Sequence, residues 1–367
     1  MRISVIYLGR RGSGGLISLN LAIHLAKKAD VFAVLSADAE SLPAWRDVNI
    51  PHTVVRTYRT AFGAVWAWVN RRQVSQIAQL IVDRQPEVVI FPMFYTLNPL
   101  LQKYLAKIPS LVAVHDPIPH PGLTGKIYKV LEDLSIRQAE RCLIFSRAFI
   151  ETMNQRGIPT EHLVVIPHGE VNYLPQQVRK KVIADQKSKK RFTILFFGRI
   201  TPYKGLEVLL DAYQINRQDL PIDLLIVGSG NMRPYRSRLR SSEGIQVINR
   251  WIPESEVGEY FAHADLVVLP YISATQSGVI PLAASYALPV IATQVGGIPE
   301  QIEDGRTGLL VEPGSVNGLA RAIRELATQP GYAKKLGSAL QLKYKNEFSW
   351  EKTADKIISV CEEVINR

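Results

Sequence analysis

Cysteine is scarce, with two in 367 residues, Cys142 and Cys361, far apart and without ligand-type neighbours. That excludes a disulfide scaffold and a cysteine-based zinc site, and makes the reducing cytoplasm the expected compartment. Long apolar runs are also missing: the longest, 61–69, falls far short of the roughly 20 residues that a spanning helix needs. The opening MRISVIYLG reads as a buried strand, with no charged-then-apolar leader, so secretion is not expected. There is no Asp-x-Asp pair and no low-complexity tract. What is present, 47% hydrophobic and 21% charged residues, is ordinary globular material of a length that makes about two domains.

The formal charge of +11 is unevenly placed. Residues 1–190 hold 25 Lys and Arg against 14 Asp and Glu, while 191–367 hold 19 of each. The whole surplus belongs to the N-terminal half, as expected if that half faces an anionic surface; solubility alone is the plainer alternative.

Short, near-continuous apolar runs at 3–8, 31–35, 88–91, 111–114 and 143–145 alternate with helical patterns such as 16–29. This is the rhythm of a parallel sheet covered by helices on both faces. It stops at QQVRKKVIADQKSKKR (176–191), which has no sustained apolar period, and restarts with runs at 193–197, 224–227, 266–269 and 290–293. The expected fold class is therefore α/β, two Rossmann-like doubly wound domains in tandem. The apolar spacing of 350–365 predicts a final helix that packs back on the rest.

In such sheets ligands sit beyond the carboxyl ends of the strands, so the loops there matter most. After the first strand, GRRGSGGLISLN places Gly9, Gly12, Gly14 and Gly15 ahead of a helix, a backbone that anions can approach. Ile17 breaks the G-x-G-x-x-G spacing, so a dinucleotide site is not expected; a tight turn without ligand is the alternative. In the second half, ILFFGRITPYKG ends a strand at Gly198, projects Arg199, and sets Lys204 where the next helix begins. Two cations beside a helix N-terminus suit a diphosphate. A third loop, 273–278, presents hydroxyls, an amide and backbone N–H groups, and Gly296 with Gly297 makes a turn near the same edge.

These pieces, taken in order, resemble the retaining family-4 glycosyltransferases of the GT-B architecture, two facing Rossmann-like domains with a cleft between them. The matching segments are GSGG at 12–15, the pair His115 and Asp116, LVVIPHGEV at 163–171, GRITPYKG at 198–205, VGSG at 227–230, YFAHADLVVLP at 260–270 and LPVIATQVGGIPE at 288–300. The resemblance implies an acceptor-side domain over 1–178 completed by the helix 350–367, a linker at 179–191, and a donor-binding domain over 192–349. It implies that Arg199 and Lys204 hold the donor diphosphate and offset charge on the leaving group. Gly198, Gln276, Ser277, Gly278 and Val279 then bind the donor sugar and its phosphate, and Arg250 and Trp251 border the base. His115 touches the donor sugar, and Gly12, Gly14, Gly15 and Asp116 form the acceptor-side loop. For His115 the alternative is a loop histidine satisfied by backbone. One departure stands out: the family usually carries two glutamates in this region, and Ala274 and Leu282 occupy those positions. No metal or other cofactor is expected, because two cations can serve the diphosphate.

Aromatics and arginines interleave in TYRTAFGAVWAWVNRRQ (57–73), where Tyr58, Phe62, Trp66 and Trp68 are flanked by Arg56, Arg59, Arg71 and Arg72. Such a segment suits an anionic bilayer surface, or else a core helix with basic ends. The expected function is transfer of a sugar from a nucleotide-diphosphate donor to a lipid-linked or polysaccharide acceptor in cell-surface glycan assembly, by a cytoplasmic enzyme peripheral to the membrane. The alternatives are a nucleotide-sugar-binding protein without turnover and a nucleotide-sugar epimerase, the latter lacking an evident acid/base carboxylate pair. No nucleic-acid recognition motif accompanies the basic half.

Overall fold

A computed structural model of the chain describes residues 1–12, 14–58, 60–69, 71–118, 126–167, 169, 191–240 and 243–366. The expected linker, 179–191, lies outside these except for Arg191, as do Ser13, Arg59 and the stretch 170–178. The chain divides into two compact units, Met1–Gly169 with Ser349–Arg367, and Glu170–Phe348.

In the first unit, β1 (Arg2–Tyr7), β2 (Asp30–Ser36), β3 (His52–Val55), β4 (Val88–Phe91), β5 (Ser110–Val114), β6 (Arg141–Ile144) and β7 (Leu163–Val165) form one sheet. Its order is β3-β2-β1-β4-β5-β6-β7, and every pair is parallel. Strand residues alternate between the faces, so Ile3, Val5 and Tyr7 join one core while Ile6 joins the other. With apolar layers on both sides, the central strands β4 and β5 are buried throughout and apolar except for Ser110.

The helix Trp350–Ile365 is capped by Ser349, whose hydroxyl accepts the Lys352 N–H, and it lays Ala354, Ile357, Cys361 and Val364 into the same core as Ile3, Val5 and Leu25. Burial of each large apolar side chain there contributes about 1.5–3 kcal/mol. Thr353 Oγ1 donates to the Pro167 carbonyl at 2.9 Å, and ion pairs Lys28–Asp355 (2.6 Å) and Arg141–Glu363 (2.5 Å) flank the helix. Burial pushes the Cys142 and Cys361 thiols up to about 12, which leaves both as inert core residues.

The second unit carries β8 (Phe192–Phe197), β9 (Ile222–Gly228), β10 (Ile245–Asn249), β11 (Leu266–Leu269), β12 (Val290–Thr293) and β13 (Leu309–Val311). They pair in parallel in the order β10-β9-β8-β11-β12-β13, the doubly wound arrangement. The winding reverses between β8 and β11, as it does between β1 and β4 in the first unit. Main-chain loops diverge at such a reversal and leave a crevice at the carboxyl ends of the strands.

Candidate functional site

The two loops that flank the reversal in the second unit are the ones that carry the basic and hydroxyl-rich segments. After β8, Gly198 takes φ +118°, and a short 3-10 turn Pro202–Lys204 ends at Gly205, φ +66°, which opens the helix Leu206–Asn216. A Cβ at Gly205 would stand 1.8 Å from the Pro270 carbonyl oxygen, so only glycine lets this turn touch the loop after β11. The contact is fastened by the Ile272 N–H, which donates to the Tyr203 carbonyl at 2.8 Å. The loop after β9 is pressed on the same segment: a Cβ at Gly230 would meet the Ile200 carbonyl oxygen at 2.1 Å.

Arg199 is exposed and Lys204 half-buried, and among the described residues no carboxylate lies within ion-pair reach of either. The Lys204 Nζ stands 3.7 Å from the centroid of the fully buried Tyr271 ring and 5.6 Å from that of Tyr203. Thr201, between the two cations, has a buried hydroxyl without a hydrogen-bond partner. Two cations that no described carboxylate pairs gather in one loop beside the N-terminus of an 11-residue helix, whose first turn also carries Glu207.

Ser277 turns inward. Its N–H donates to Gln301 Oε1 (3.0 Å), its carbonyl accepts from Gln301 Nε2 (3.2 Å), and its hydroxyl bonds to Tyr271 OH (3.2 Å) and the Val279 N–H (3.3 Å). Its polar groups are thus bound by protein, while Gly278 is exposed with open space where a Cβ would stand and Gln276 is half-buried. The turn at Gly296 and Gly297 closes on this loop through the Gly297 N–H, which donates to the Thr275 carbonyl at 2.8 Å. Arg250 and Trp251 lie after β10, the outermost strand, two strands from the reversal; Arg250 is paired there with Glu256 and also donates to the Trp251 carbonyl.

In the first unit the corresponding loops follow β1 and β4. Gly12 has φ +88° and an open Cβ position, whereas Gly14 and Gly15 are buried, with added Cβ atoms 2.8 Å from Met93 and 2.2 Å from Ser41 Oγ. Their lack of side chains is therefore demanded by neighbouring protein. His115, just past β5, is half-buried, lies against the Phe145 ring with centroids 4.3 Å apart and planes tilted by 34°, and donates from Nε2 to the Pro92 carbonyl at 2.9 Å. That bond ties it to the loop after β4. Burial pushes the imidazole pKa below its ordinary value, so the ring is neutral at pH 7. Asp116 is exposed beside it.

The C-terminal half matches the model of the family described as Glycosyl transferases group 1 over residues 191–329, and the N-terminal half matches the Glycosyl transferase 4-like domain over 16–169. The chain belongs to the group 1 glycosyltransferases. Among curated proteins, this group 1 chain is 34% identical over 171 residues to the D-inositol 3-phosphate glycosyltransferase of Pseudarthrobacter chlorophenolicus, a match covering 44% of the chain and 40% of that relative. It is 23% identical over 329 residues to the alpha-D-kanosaminyltransferase of Streptomyces kanamyceticus, covering 83% of the chain and 84% of the relative. The first of these matches spans well under half of its relative's length. Among solved structures, Anabaena HepE in complex with UDP and glucose aligns with 99% of the chain and 100% of its own at TM-score 0.75 and 18% identity. Sucrose-phosphate synthase from Thermosynechococcus elongatus aligns with 100% and 99% at TM-score 0.74 and 18% identity. These likenesses establish the two-sheet α/β fold of the GT-B class.

Within this group 1 glycosyltransferase, Ala274 sits half-buried in the loop after β11 and Leu282 is buried on the helix Val279–Ser285. Neither can offer a ligand contact of the carboxylate kind. Among the described residues no three His, Cys, Asp or Glu side chains converge as metal ligands, and no helix is long and apolar enough to cross a membrane. Sequence reasoning missed Tyr271 and Gln301. The only signal for Gln301 was its place after the Gly296–Gly297 turn, and Tyr271, following an apolar strand and Pro270, reads as core.

Proposed function

We propose that the protein transfers a sugar from a nucleotide-diphosphate donor, held by the second unit, to a lipid-linked or glycan acceptor carried by the first, with retention of anomeric configuration, in cell-surface glycan assembly. The observation that carries this reading is the pair Arg199 and Lys204, which no carboxylate among the described residues partners, on the β8 loop at the chain reversal. Cations fixed in place before the reaction stabilise the negative charge that grows on the departing diphosphate without reorganising. The exposed backbone around Gly278 is assigned to the donor sugar's hydroxyls and the near phosphate. The Anabaena neighbour was solved with UDP and with UDP-glucose, which makes uridine diphosphate sugars the first donors to try. Purified protein incubated with UDP-, GDP-, ADP- and dTDP-sugars and a membrane-lipid extract is expected to release one nucleoside diphosphate and to lose about 10²–10³-fold of that rate in Arg199→Ala. Binding of a nucleotide sugar without release of diphosphate under any acceptor would overturn the transferase reading in favour of a binding protein.

The membrane reading rests on the first unit. Trp66 is 56% exposed on the helix Ala61–Val69, next to Arg71 and Arg72, whereas Trp68 turns in and donates to the Thr96 carbonyl. A second helix, Lys126–Gln138, exposes Ile127 (77%), Val130 (64%) and Leu134 at helical spacing, with Lys129 and Arg137 exposed on the same helix. Apolar side chains beside basic ones suit the headgroup boundary of an anionic bilayer. Co-sedimentation with phosphatidylglycerol vesicles should occur, weaken with salt, and fall in Trp66→Ser and in Val130→Asp; equal binding to neutral vesicles by all three proteins would contradict it.

A further inference from the structure

We propose that Tyr271 is the positioning residue for Lys204: its ring seats the ammonium, and its hydroxyl ties that seat to the Ser273–Gly278 loop. The inference rests on the reading of Arg199 and Lys204 as the diphosphate site. Lysine is a point charge on a flexible four-carbon stem, and an unheld one must be ordered each time a ligand binds. A carboxylate partner would order it at the expense of its charge. An aromatic face orders it and leaves the charge for the ligand. Here the Nζ lies 3.7 Å from the Tyr271 centroid, and no carboxylate among the described residues reaches it.

The seat is itself immobile. Tyr271 is fully buried, its carbonyl accepts from Thr293 Oγ1 at 2.6 Å, and its hydroxyl bonds to Ser277 Oγ at 3.2 Å. Ser277 is gripped on both sides of its residue by the Gln301 amide, whose Nε2 also donates to Tyr344 OH at 3.0 Å. Tyr344, Gln301, Ser277, Tyr271 and Lys204 thus form one chain of contacts from the core of the second unit to the cation. The Gly205–Pro270 approach and the Ile272–Tyr203 hydrogen bond hold the two loops together at the same point. Where the family has a glutamate in the loop, this chain has Ala274 and a buried tyrosine–serine–glutamine relay behind it.

Calorimetry with UDP and UMP, or with the matching pair for whichever base binds, separates this role from plain packing. Lys204→Ala is expected to weaken the diphosphate at least about tenfold more than the monophosphate, since a charge-assisted contact is lost. Tyr271→Leu should reproduce most of that selective loss, and Tyr271→Phe, which keeps the ring, should stay within about threefold of the parent. An equal loss of both nucleotides in Tyr271→Leu, or none, would overturn the seating role. No change in Lys204→Ala would overturn the diphosphate reading itself and the inference with it. If Tyr271→Leu does not fold, proton NMR of the parent decides: the Lys204 ε-methylene must be shifted upfield by the ring current, and an unshifted resonance refutes the seat.

Discussion

Replacing Gly205 by alanine separates two costs that the structure assigns to one position. The residue takes φ +66°, which an L side chain adopts at a cost of about 1 kcal/mol. The new Cβ would also stand 1.8 Å from the Pro270 carbonyl oxygen and 2.9 Å from its carbon, both backbone atoms with no rotamer to yield. Forcing the loops apart adds about 1–3 kcal/mol of overpacking and strains the Ile272–Tyr203 hydrogen bond. The sum is about 2–4 kcal/mol, or at about 2–4 °C per kcal/mol a fall of roughly 4–16 °C in the melting of the second unit. Gly314→Ala is the control: its φ is +75° but nothing lies within 4 Å of an added Cβ, so it should lose only about 1 kcal/mol. Urea unfolding followed by calorimetry of nucleotide binding reads both stability and site. Equal losses at Gly205 and Gly314 would refute the close approach of the two loops.

The pH dependence of stability has a defined sign at His115. Because burial holds its pKa below 6.5, the unfolded chain binds a proton that the native chain refuses once the pH falls below about 6.5. Its contribution is therefore largest at neutral pH and is lost as the pH falls through that window; melting followed from about pH 7.5 to 5 should show a smaller decline in His115→Gln, and an unchanged slope would contradict the assignment. Leu282→Glu should not restore a donor contact but should destabilise by about 2 kcal/mol or more, because it buries a carboxyl on an apolar helix. Tighter nucleotide binding in that variant at unchanged stability would show that the position faces the ligand.

The strongly apolar strands were legible because both of their faces are buried: 88–91, 266–269 and 290–293 were expected and appear as β4, β11 and β12 with those bounds. So was the final helix, expected over 350–365 and found over Trp350–Ile365, since its apolar residues recur every three or four. The edge strands were not. β10 (IQVIN) is exposed at Gln246, Val247 and Asn249, β3 (HTVV) is mostly half-open, and β13 is three residues long, so neither a continuous run nor a strict alternation marks them. Within the segment 57–73, residues 61–69 and 71–73 are helical, while Arg59 and Asn70 lie outside the described residues.

The placement of Arg199 and Lys204 in the loop after β8 was legible because glycines and a strand end flanked them. The inward turn of Ser277 was not. A serine in a polar loop reads as a ligand group, and only the fold brings Gln301 and Tyr271 around it. Gly14 and Gly15 gave a similar ambiguity, since a glycine that yields to a ligand and one that yields to Met93 or Ser41 look alike in sequence.

The central claim is that the loop after β8 is a diphosphate site. Isothermal titration of UDP, GDP, ADP and dTDP into the parent protein, Arg199→Ala, Lys204→Ala and the surface control Lys334→Ala tests it most directly. One diphosphate is expected to bind the parent and Lys334→Ala alike and to lose about 10–100-fold in each loop variant, the worth of a charge-assisted hydrogen bond. Binding that is unchanged in either loop variant would contradict the claim.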